Sequence, residues 1–172
     1  MKTFTRSILL STLLAVAMPF TAASAAAIFE QGGCGDGSTI CETISNETQA
    51  FRNLRSFEFA VARSGQAEVS LQGSMLCSSF AATPAVVDLV TQITTVQFAQ
   101  PVINGPGGAR HAAVLVNTAD GTTTSFNLAS KRVMFVPPGQ SVVNFNVQQL
   151  RMDAGTSCIF YNLAFSVVYI EG

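Results

Sequence analysis

Residues 56–79 read SFEFAVARSGQAEVSLQGSMLCSS, and apolar side chains alternate in them with polar or small ones. Such alternation is typical of β-strands with one buried face, because successive side chains of a strand point to opposite sides of the sheet. The second half of the stretch keeps one set of side chains on a single side: Val69, Leu71, Gly73, Met75 and Cys77. We expect this side to face the core, where a disulfide from Cys77 would cross the core.

Further β-type runs follow, and turn residues separate them. Between residues 112–118 and residues 122–128, Asp120-Gly121 predicts a β-hairpin, since both residues tolerate the positive φ of a type I′ turn. The remaining runs cover residues 86–98, 133–136, 143–147 and 158–170.

The last run is apolar on both sides. One face is expected to carry Ile159, Tyr161, Leu163, Phe165, Val167 and Tyr169. The other face is also partly apolar, through Phe160, Ala164, Val168 and Ile170. A strand with one solvated face needs fewer apolar residues, so this strand is either central in its sheet or covered by a partner chain.

About eight strands, short turns and at most one helix predict an all-β fold. We expect an antiparallel β-sandwich or jelly roll over residues 56–172, stapled by disulfides. Residues 26–55 precede it as a lead-in that contains glycine and cysteine. Within the lead-in, Phe51 and Leu54 fall at helical spacing, so residues 46–55 form either one short helix or a loop.

Residues 1–25 have the order of a secretory signal peptide. Lys2 and Arg6 precede an apolar run at residues 8–20, and small residues ending at Ala25 follow it. The run is shorter than the about 20 residues that span a bilayer as a helix. We therefore expect cleavage after Ala25, no membrane span in the mature chain, and a place outside the cytoplasm: the periplasm, the cell surface or the medium.

All four cysteines lie in the exported part, where an oxidising compartment lets disulfides persist. Cys34 and Cys41 bracket a short glycine-containing loop that can close on itself, which leaves Cys77 to pair with Cys158. A zinc site is disfavoured, because Cys-x6-Cys is not a usual zinc spacing. No metal and no cofactor are expected.

The charge balance argues against polyanionic partners. Without Lys2 and Arg6 the chain keeps seven of its nine basic residues against ten acidic ones, a net charge of −3. Lys131 is then the only lysine, so no polybasic patch can form. This charge therefore argues against nucleic acid or an anionic membrane surface as the main partner.

No group of residues in the sequence predicts catalysis. His111 is the only imidazole, and it follows the glycine- and proline-rich residues 104–110, which predict an exposed connection. No serine stands in a G-x-S-x-G context. We therefore expect a protein that is not an enzyme, and a small secreted hydrolase that depends on His111 is the least favoured interpretation.

Two groups of polar residues are candidates for ligand binding. Arg110 and His111 could hold an anion or a glycan. Asn144, Asn146 and Gln148 share the polar side of a predicted strand, where they could bind sugars, contact another protein or simply face solvent.

The C-terminal strand, the length and the disulfides resemble those of chaperone–usher pilus subunits, which are exported β-sandwich proteins. The likeness covers architecture, and several positions depart from that family's pattern. That family's pattern has tyrosine at the penultimate position, where this chain has Glu171, and Tyr169 is fourth from the end. Ile159 and Phe160 lie where that family would have glycine.

These features favour a non-enzymatic extracytoplasmic protein that acts in adhesion, surface structure or assembly. Its expected partner is a protein, either a further copy or a surface protein. A glycan-binding module and a fimbrial-type subunit are the alternatives.

Overall fold

The computed structural model describes residues 26–34, 40–46, 51–80, 84–96, 99–116 and 121–172, so the predicted signal peptide lies outside it. This part of the chain folds into nine strands and no helix, and it therefore has no helix that could cross a membrane. The strands are β1 (Ala26–Gln31), β2 (Ile40–Ser45), β3 (Phe51–Val61), β4 (Gly65–Ser79), β5 (Ala85–Thr94), β6 (Gly108–Leu115), β7 (Thr122–Val136), β8 (Gly139–Met152) and β9 (Thr156–Glu171).

The strands form two antiparallel sheets packed face to face. Sheet I has the order β1-β9-β4-β7, with β2 also paired to β9, and sheet II has the order β3-β8-β5-β6. The pairs are nested along the chain: β5 with β6, β4 with β7, β3 with β8, and both β1 and β2 with β9. A long antiparallel ladder rolled up in this way is a jelly roll, and the predicted fold class is confirmed.

β1 and β2 together form one edge of sheet I. β1 pairs with the C-terminal half of β9, and β2 pairs with its N-terminal half. Between them, Cys34 exchanges backbone hydrogen bonds with β9, and its disulfide to Cys41 ties the two strands together. The lead-in at residues 26–55 thus contains two strands that the sequence did not predict, because each is only six residues long and shows too little alternation to be recognised.

The helix alternative for residues 46–55 is also wrong in its described part. β3 begins at Phe51 and pairs with β8, and its register shifts between Asn53 and Arg55. A bulge inserts one extra residue, here Leu54, and so breaks the period of two. Phe51 lies opposite Gln148 on the outer side and Leu54 packs against the core, so their spacing of three residues does not place them on one face.

β6 and β7 do not form the predicted hairpin. β6 pairs with β5 in sheet II and β7 pairs with β4 in sheet I, so the chain changes sheets between them. Gly121 has a φ of 84°, as a tight turn requires, whereas Asp120 lies outside the described residues. The prediction is wrong because a local turn signal does not determine in which sheet the next strand pairs.

β9 is central in sheet I and changes its inward side at a bulge. Asn162, with a φ of 51°, and Leu163 lie opposite the single residue Gly73 of β4. A Cβ at Gly73 would come within 2.7 Å of the Leu163 side chain, so glycine is required there. Before the bulge Phe160 points inward, and the prediction that Ile159 and Tyr161 share the inner face is wrong.

The inner rows of the two sheets meet in one hydrophobic core. Its largest fully buried side chains include Phe145 from sheet II and Phe160 from sheet I. Phe57 stacks on Phe165 across the core, with ring centroids 6.0 Å apart. The phenylalanine-rich interior therefore joins the two sheets.

The second disulfide joins Cys77 to Cys158, and both cysteines are fully buried. They are direct partners in the neighbouring strands β4 and β9, with Cα atoms 4.0 Å apart. The expected pairing is thus confirmed, but the bond lies within sheet I and does not cross the core. The alternation of side chains predicted correctly that Cys77 points inward. It does not show which strand carries the cysteine that pairs with Cys77.

We expect removal of the two disulfides to have unequal effects on stability. The Cys77–Cys158 bond closes a sequence separation of 81 residues and the Cys34–Cys41 bond one of 7. In the chain-entropy model the first is worth about 4 kcal/mol and the second about 2 kcal/mol. Urea unfolding of the Cys77→Ala/Cys158→Ala and Cys34→Ala/Cys41→Ala variants measures both values, and equal losses would contradict the expectation.

Candidate interaction surface

Arg110 lies on the outer side of β6 and is already engaged. Its Nε and Nη2 atoms donate to the two carboxylate oxygens of Asp88 on β5, at 2.8 and 2.6 Å. These hydrogen bonds lower the pKa of the Asp88 carboxyl below its ordinary value of 3.8. The guanidinium therefore bridges two strands of sheet II, and a ligand anion would have to compete with Asp88 for it.

His111 points into the sandwich, so the prediction of an exposed histidine is wrong. Its Nε2 lies 2.9 Å from Thr91 Oγ1, and its ring meets Phe126 edge-on at 5.8 Å. The sequence suggested a loop because glycine and proline precede His111, but β6 already starts at Gly108. Arg110 and His111 therefore point to opposite sides of β6 and do not form one site.

The amides of Asn144 and Asn146 are buried in an internal hydrogen-bond network. Asn144 Oδ1 accepts from Ser56 Oγ at 2.7 Å, and Asn53 Nδ2 donates to Asn146 Oδ1 at 2.9 Å. Both asparagines are on the outer side of β8, as their alternation predicts, yet they are buried. Gln148, in the same row, is partly buried and lies opposite Phe51.

Described residues of the β5–β6 connection lie over Asn146. Asn146 Nδ2 donates to the carbonyl oxygens of Ala99 and Val96, at 2.9 and 3.3 Å. Gln92 accepts from the backbone N–H of Val102 and donates to the carbonyl oxygen of Pro106. The outer face of sheet II is thus covered around Asn146 and Gln92 by the protein's own chain, which provides hydrogen-bond partners for both side chains.

We expect burial of His111 to make stability depend on pH. Burial lowers the pKa of its imidazole below the ordinary value of 6.5. Below about pH 6.5 the unfolded chain therefore binds a proton that the folded chain does not, and the free energy of unfolding falls with decreasing pH. Melting temperatures measured from pH 7.5 to pH 5 should decrease in the wild type and stay nearly constant in His111→Gln.

The ion pair of Asp88 does not contribute to the expected pH dependence between pH 7.5 and pH 5. Because the pKa of Asp88 is lowered, its contribution to stability is lost only at pH values below 3.8, outside the window of His111. An equal decrease in the wild type and in His111→Gln would contradict the role given to the buried imidazole.

The outer face of sheet I also bears exposed large apolar side chains. Two adjacent rows of side chains cross the sheet at the end where β9 terminates. They contain five exposed apolar residues, which we call the apolar ridge: Ile28 (67% exposed), Val133 (60%), Phe135 (70%), Val168 (37%) and Ile170 (50%). Gln66 and Glu68 of β4 lie between the residues of β9 and those of β7 in these rows, so the ridge has two apolar parts. Ile28, Val168 and Ile170 form one part, and Val133 and Phe135 form the other. Grouped exposed apolar side chains on a protein surface commonly mark an interaction site.

Small and polar residues occupy the next two rows of the same face. Ser70, Ala164 and Ser166 lie between the longer side chains of Glu30 and Gln72 and leave a groove of about 450 Å³. Lys131, at the far edge, forms an ion pair with Glu68 at 2.7 Å. The face therefore has a raised apolar part and a recessed polar part side by side.

This surface was only partly visible in the sequence. Val168 and Ile170 were noticed as apolar residues on the second side of the last strand. Val133 and Phe135 lie in the run at residues 133–136, whose short length did not reveal its outward side. Their combination into one ridge requires the strand order β9-β4-β7, which alternation alone does not contain.

No metal site is formed by the described residues, since no three of their His, Cys, Asp and Glu side chains come together.

Comparison with known proteins gives only remote structural likenesses. No family model and no curated protein matches the chain. Among solved structures, T=1 particles derived from infectious bursal virus match with a TM-score of 0.39 and 10% identity over 96% of this chain and 36% of that protein. The VP2 subviral particle of infectious bursal disease virus matches with a TM-score of 0.38 and 9% identity over 86% of this chain and 33% of that protein.

The chain thus spans little more than a third of the length of these proteins. Likenesses of this degree carry no conclusion about function, which has to be argued from the surface itself.

Proposed function

We propose that this chain is a non-enzymatic structural subunit of the extracytoplasmic space, which associates with further copies of itself through the outer face of sheet I. The observation that carries the proposal is the apolar ridge. Ile28, Val168 and Ile170 lie on β1 and β9, and Val133 and Phe135 lie on β7. Gln66 and Glu68 of β4 lie between these two groups on the same outer face.

The difference between the two sheets supports an assembly role. In sheet II, Val90, Gln92 and Thr94 of β5 point outward but are buried, and hydrogen bonds from Gln92 and Thr94 hold the connection beside them. In sheet I no described segment covers the ridge. Covering it with a partner would remove apolar surface from water, at about 25 cal/mol for each Å².

Export and oxidation fit the same role. Two disulfides, one fully buried, suit a protein that works where thiols oxidise. The signal peptide at residues 1–25 remains the prediction on which the extracytoplasmic location depends. A structural subunit outside the cell depends more on a rigid, disulfide-bonded fold and an apolar association surface than on reactive side chains.

We expect Phe135→Ser to weaken self-association at least about tenfold, because an exposed aromatic residue in an apolar patch commonly carries a large share of binding energy. The wild type, produced as the full chain, exported and purified with its disulfides intact, is expected to show a concentration-dependent dimer in size-exclusion chromatography with light scattering.

Phe80→Ser is the matched control for this variant. Phe80 is 77% exposed, slightly more than Phe135, but it follows β4 at the opposite end of the sandwich. Its replacement should leave association unchanged. A wild-type protein that remains monomeric at high concentration, or equal effects of the two substitutions, would refute the proposed function.

A further inference from the structure

We infer that the outer face of sheet I binds a linear, uncharged oligosaccharide in a trough that runs along β4 and β9, beside the apolar ridge. This ligand goes beyond the proposed function, because the residues that would bind it are not those of the ridge. The trough consists of two hollows, namely the groove of about 450 Å³ and a second hollow of about 380 Å³. Ligand pockets in proteins usually have volumes between about 300 and 1,000 Å³.

The two hollows lie in consecutive rows of the outer face. Along β4 the outward side chains Ser70, Gln72 and Ser74 follow one another, the first two in the groove and the third in the second hollow. Tyr161 of β9 lies opposite Ser74 and lines the second hollow with it. Because a strand rises by about 3.4 Å per residue, the trough from Ser70 to Leu76 is about 20 Å long. This length suits an extended chain of a few sugar rings.

The bulge in β9 places an aromatic ring in the trough. Without the extra residue at Asn162, Tyr161 would share the inner side with Leu163, and bulges commonly redirect a side chain in this way. The hydroxyl of Tyr169 donates to the carbonyl oxygen of Arg63 at 2.6 Å, whereas the hydroxyl of Tyr161 has no hydrogen-bond partner among the described residues. Tyr161 therefore offers a sugar ring both an apolar face and a free hydroxyl.

The polar side chains of the groove are available to a ligand. The carboxylate of Glu30, the amide of Gln72 and the hydroxyl of Ser166 form no hydrogen bond with other described residues. On the outer face of sheet II, in contrast, Asn146 and Gln92 bond to the chain that lies over them. The groove thus brings together donors and acceptors that the fold itself does not use.

The charge and the hydrogen-bonding groups of the lining favour an uncharged ligand that is rich in hydroxyl groups. Glu30 is the only charged side chain among the described residues that line the two hollows. Lys131, in the same row as Ser70, is engaged by Glu68 at 2.7 Å. An anionic ligand would therefore meet a carboxylate without a compensating cation. A carboxylate accepts hydrogen bonds, whereas amides and hydroxyls also donate them, and saccharide hydroxyls can complement both.

Gly32 keeps the β1 side of the groove open. It lines the groove, and a Cβ added to it would have no heavy atom within 4 Å. A leucine at this position would therefore occupy the space of the ligand without a clash of its Cβ with the protein. This property provides a variant that fills the groove and leaves the fold intact.

Isothermal titration calorimetry of the exported wild type with intact disulfides tests the inference. The probes are cellotetraose, maltotetraose, mannotetraose and chitotetraose, with tetragalacturonate as the acidic counterpart. We expect at least one neutral probe to bind with a Kd of about 1 mM or lower. Tetragalacturonate should not bind, because its carboxylates would be repelled by Glu30.

Three substitutions in the trough should weaken binding of that neutral probe. Gly32→Leu and Tyr161→Ser should raise the Kd at least about tenfold, and Gln72→Ala, which removes hydrogen bonds only, about threefold to tenfold. Gln66→Ala is the matched control, because both glutamines are exposed on the outer side of β4 but Gln66 lies in a row of the ridge. It should leave the Kd unchanged. Circular dichroism verifies that each variant is folded.

The possible results separate this ligand from the proposed function. Binding of no neutral probe, equally tight binding of tetragalacturonate, or equal losses in Gln66→Ala and Gln72→Ala would overturn the inference. Phe135→Ser should leave the Kd of the probe unchanged, since Phe135 lies in a row of the ridge. A wild type that binds the probe but remains monomeric refutes the proposed function alone. A wild type that self-associates without binding any neutral probe refutes the saccharide site alone.

Discussion

The structure depends on the central position of β9 in sheet I. This strand pairs with β4 on one side and with β1 and β2 on the other, so its hydrogen bonds fix the positions of three other strands. The buried disulfide between Cys77 and Cys158 locks its register against β4. Its inner row, which includes Phe160 and Phe165, forms much of the core. Its outer row fixes where the ridge and the groove lie.

The two sheets differ in whether the protein's own chain lies over the centre of the outer face. Sheet II lays its own β5–β6 connection over its centre, and buried amides such as Asn146 hold that connection by hydrogen bonds to backbone carbonyls. Buried amides need such partners, because an unsatisfied polar group in the interior is costly. In the described residues of sheet I no corresponding connection lies over the centre of the outer face. Large apolar side chains are exposed on both sheets, for example Phe135 on sheet I and Val114 on sheet II. Association with another molecule is the physical consequence that we draw from this difference.

Much of the fold could be predicted from the sequence. The limits of the prediction follow from the alternation of apolar and polar residues, which gives the direction of side chains but not the pairing of strands. Period-two patterns located β4, β5, β8 and β9 and assigned Met75 and Cys77 to the inner side, because side-chain direction is a local property of a strand. The partner of each strand is a non-local property. For that reason the chain reversal at Gly121 was mistaken for a hairpin, and Asn144 and Asn146 were expected to be available although both are buried and a remote connection lies over Asn146. A bulge at Asn162 reversed the inner side of β9 and led to a false inner face, and the spacing of Phe51 and Leu54 in β3 led to a false helix.

The candidate surface was harder to predict than the fold. Val168 and Ile170 attracted attention because they exceed what a strand with one buried face needs, and the explanation that the strand is central proved right. The ridge includes Phe135 and Val133 only because β7 is the edge strand of the same sheet, where β4 separates it from β9. His111 and Arg110 attracted attention as the chemically richest pair in the sequence, yet they serve the interior and an ion pair, respectively.

Hydroxyl-radical footprinting of the wild-type protein over a range of concentrations tests the central claim most directly, since Phe80 and Phe135 are similarly exposed in the single chain. If the outer face of sheet I is covered by a second copy, oxidation of Phe135 should fall as the concentration rises while oxidation of Phe80 stays constant. Equal oxidation of the two phenylalanines at every concentration would contradict the claim.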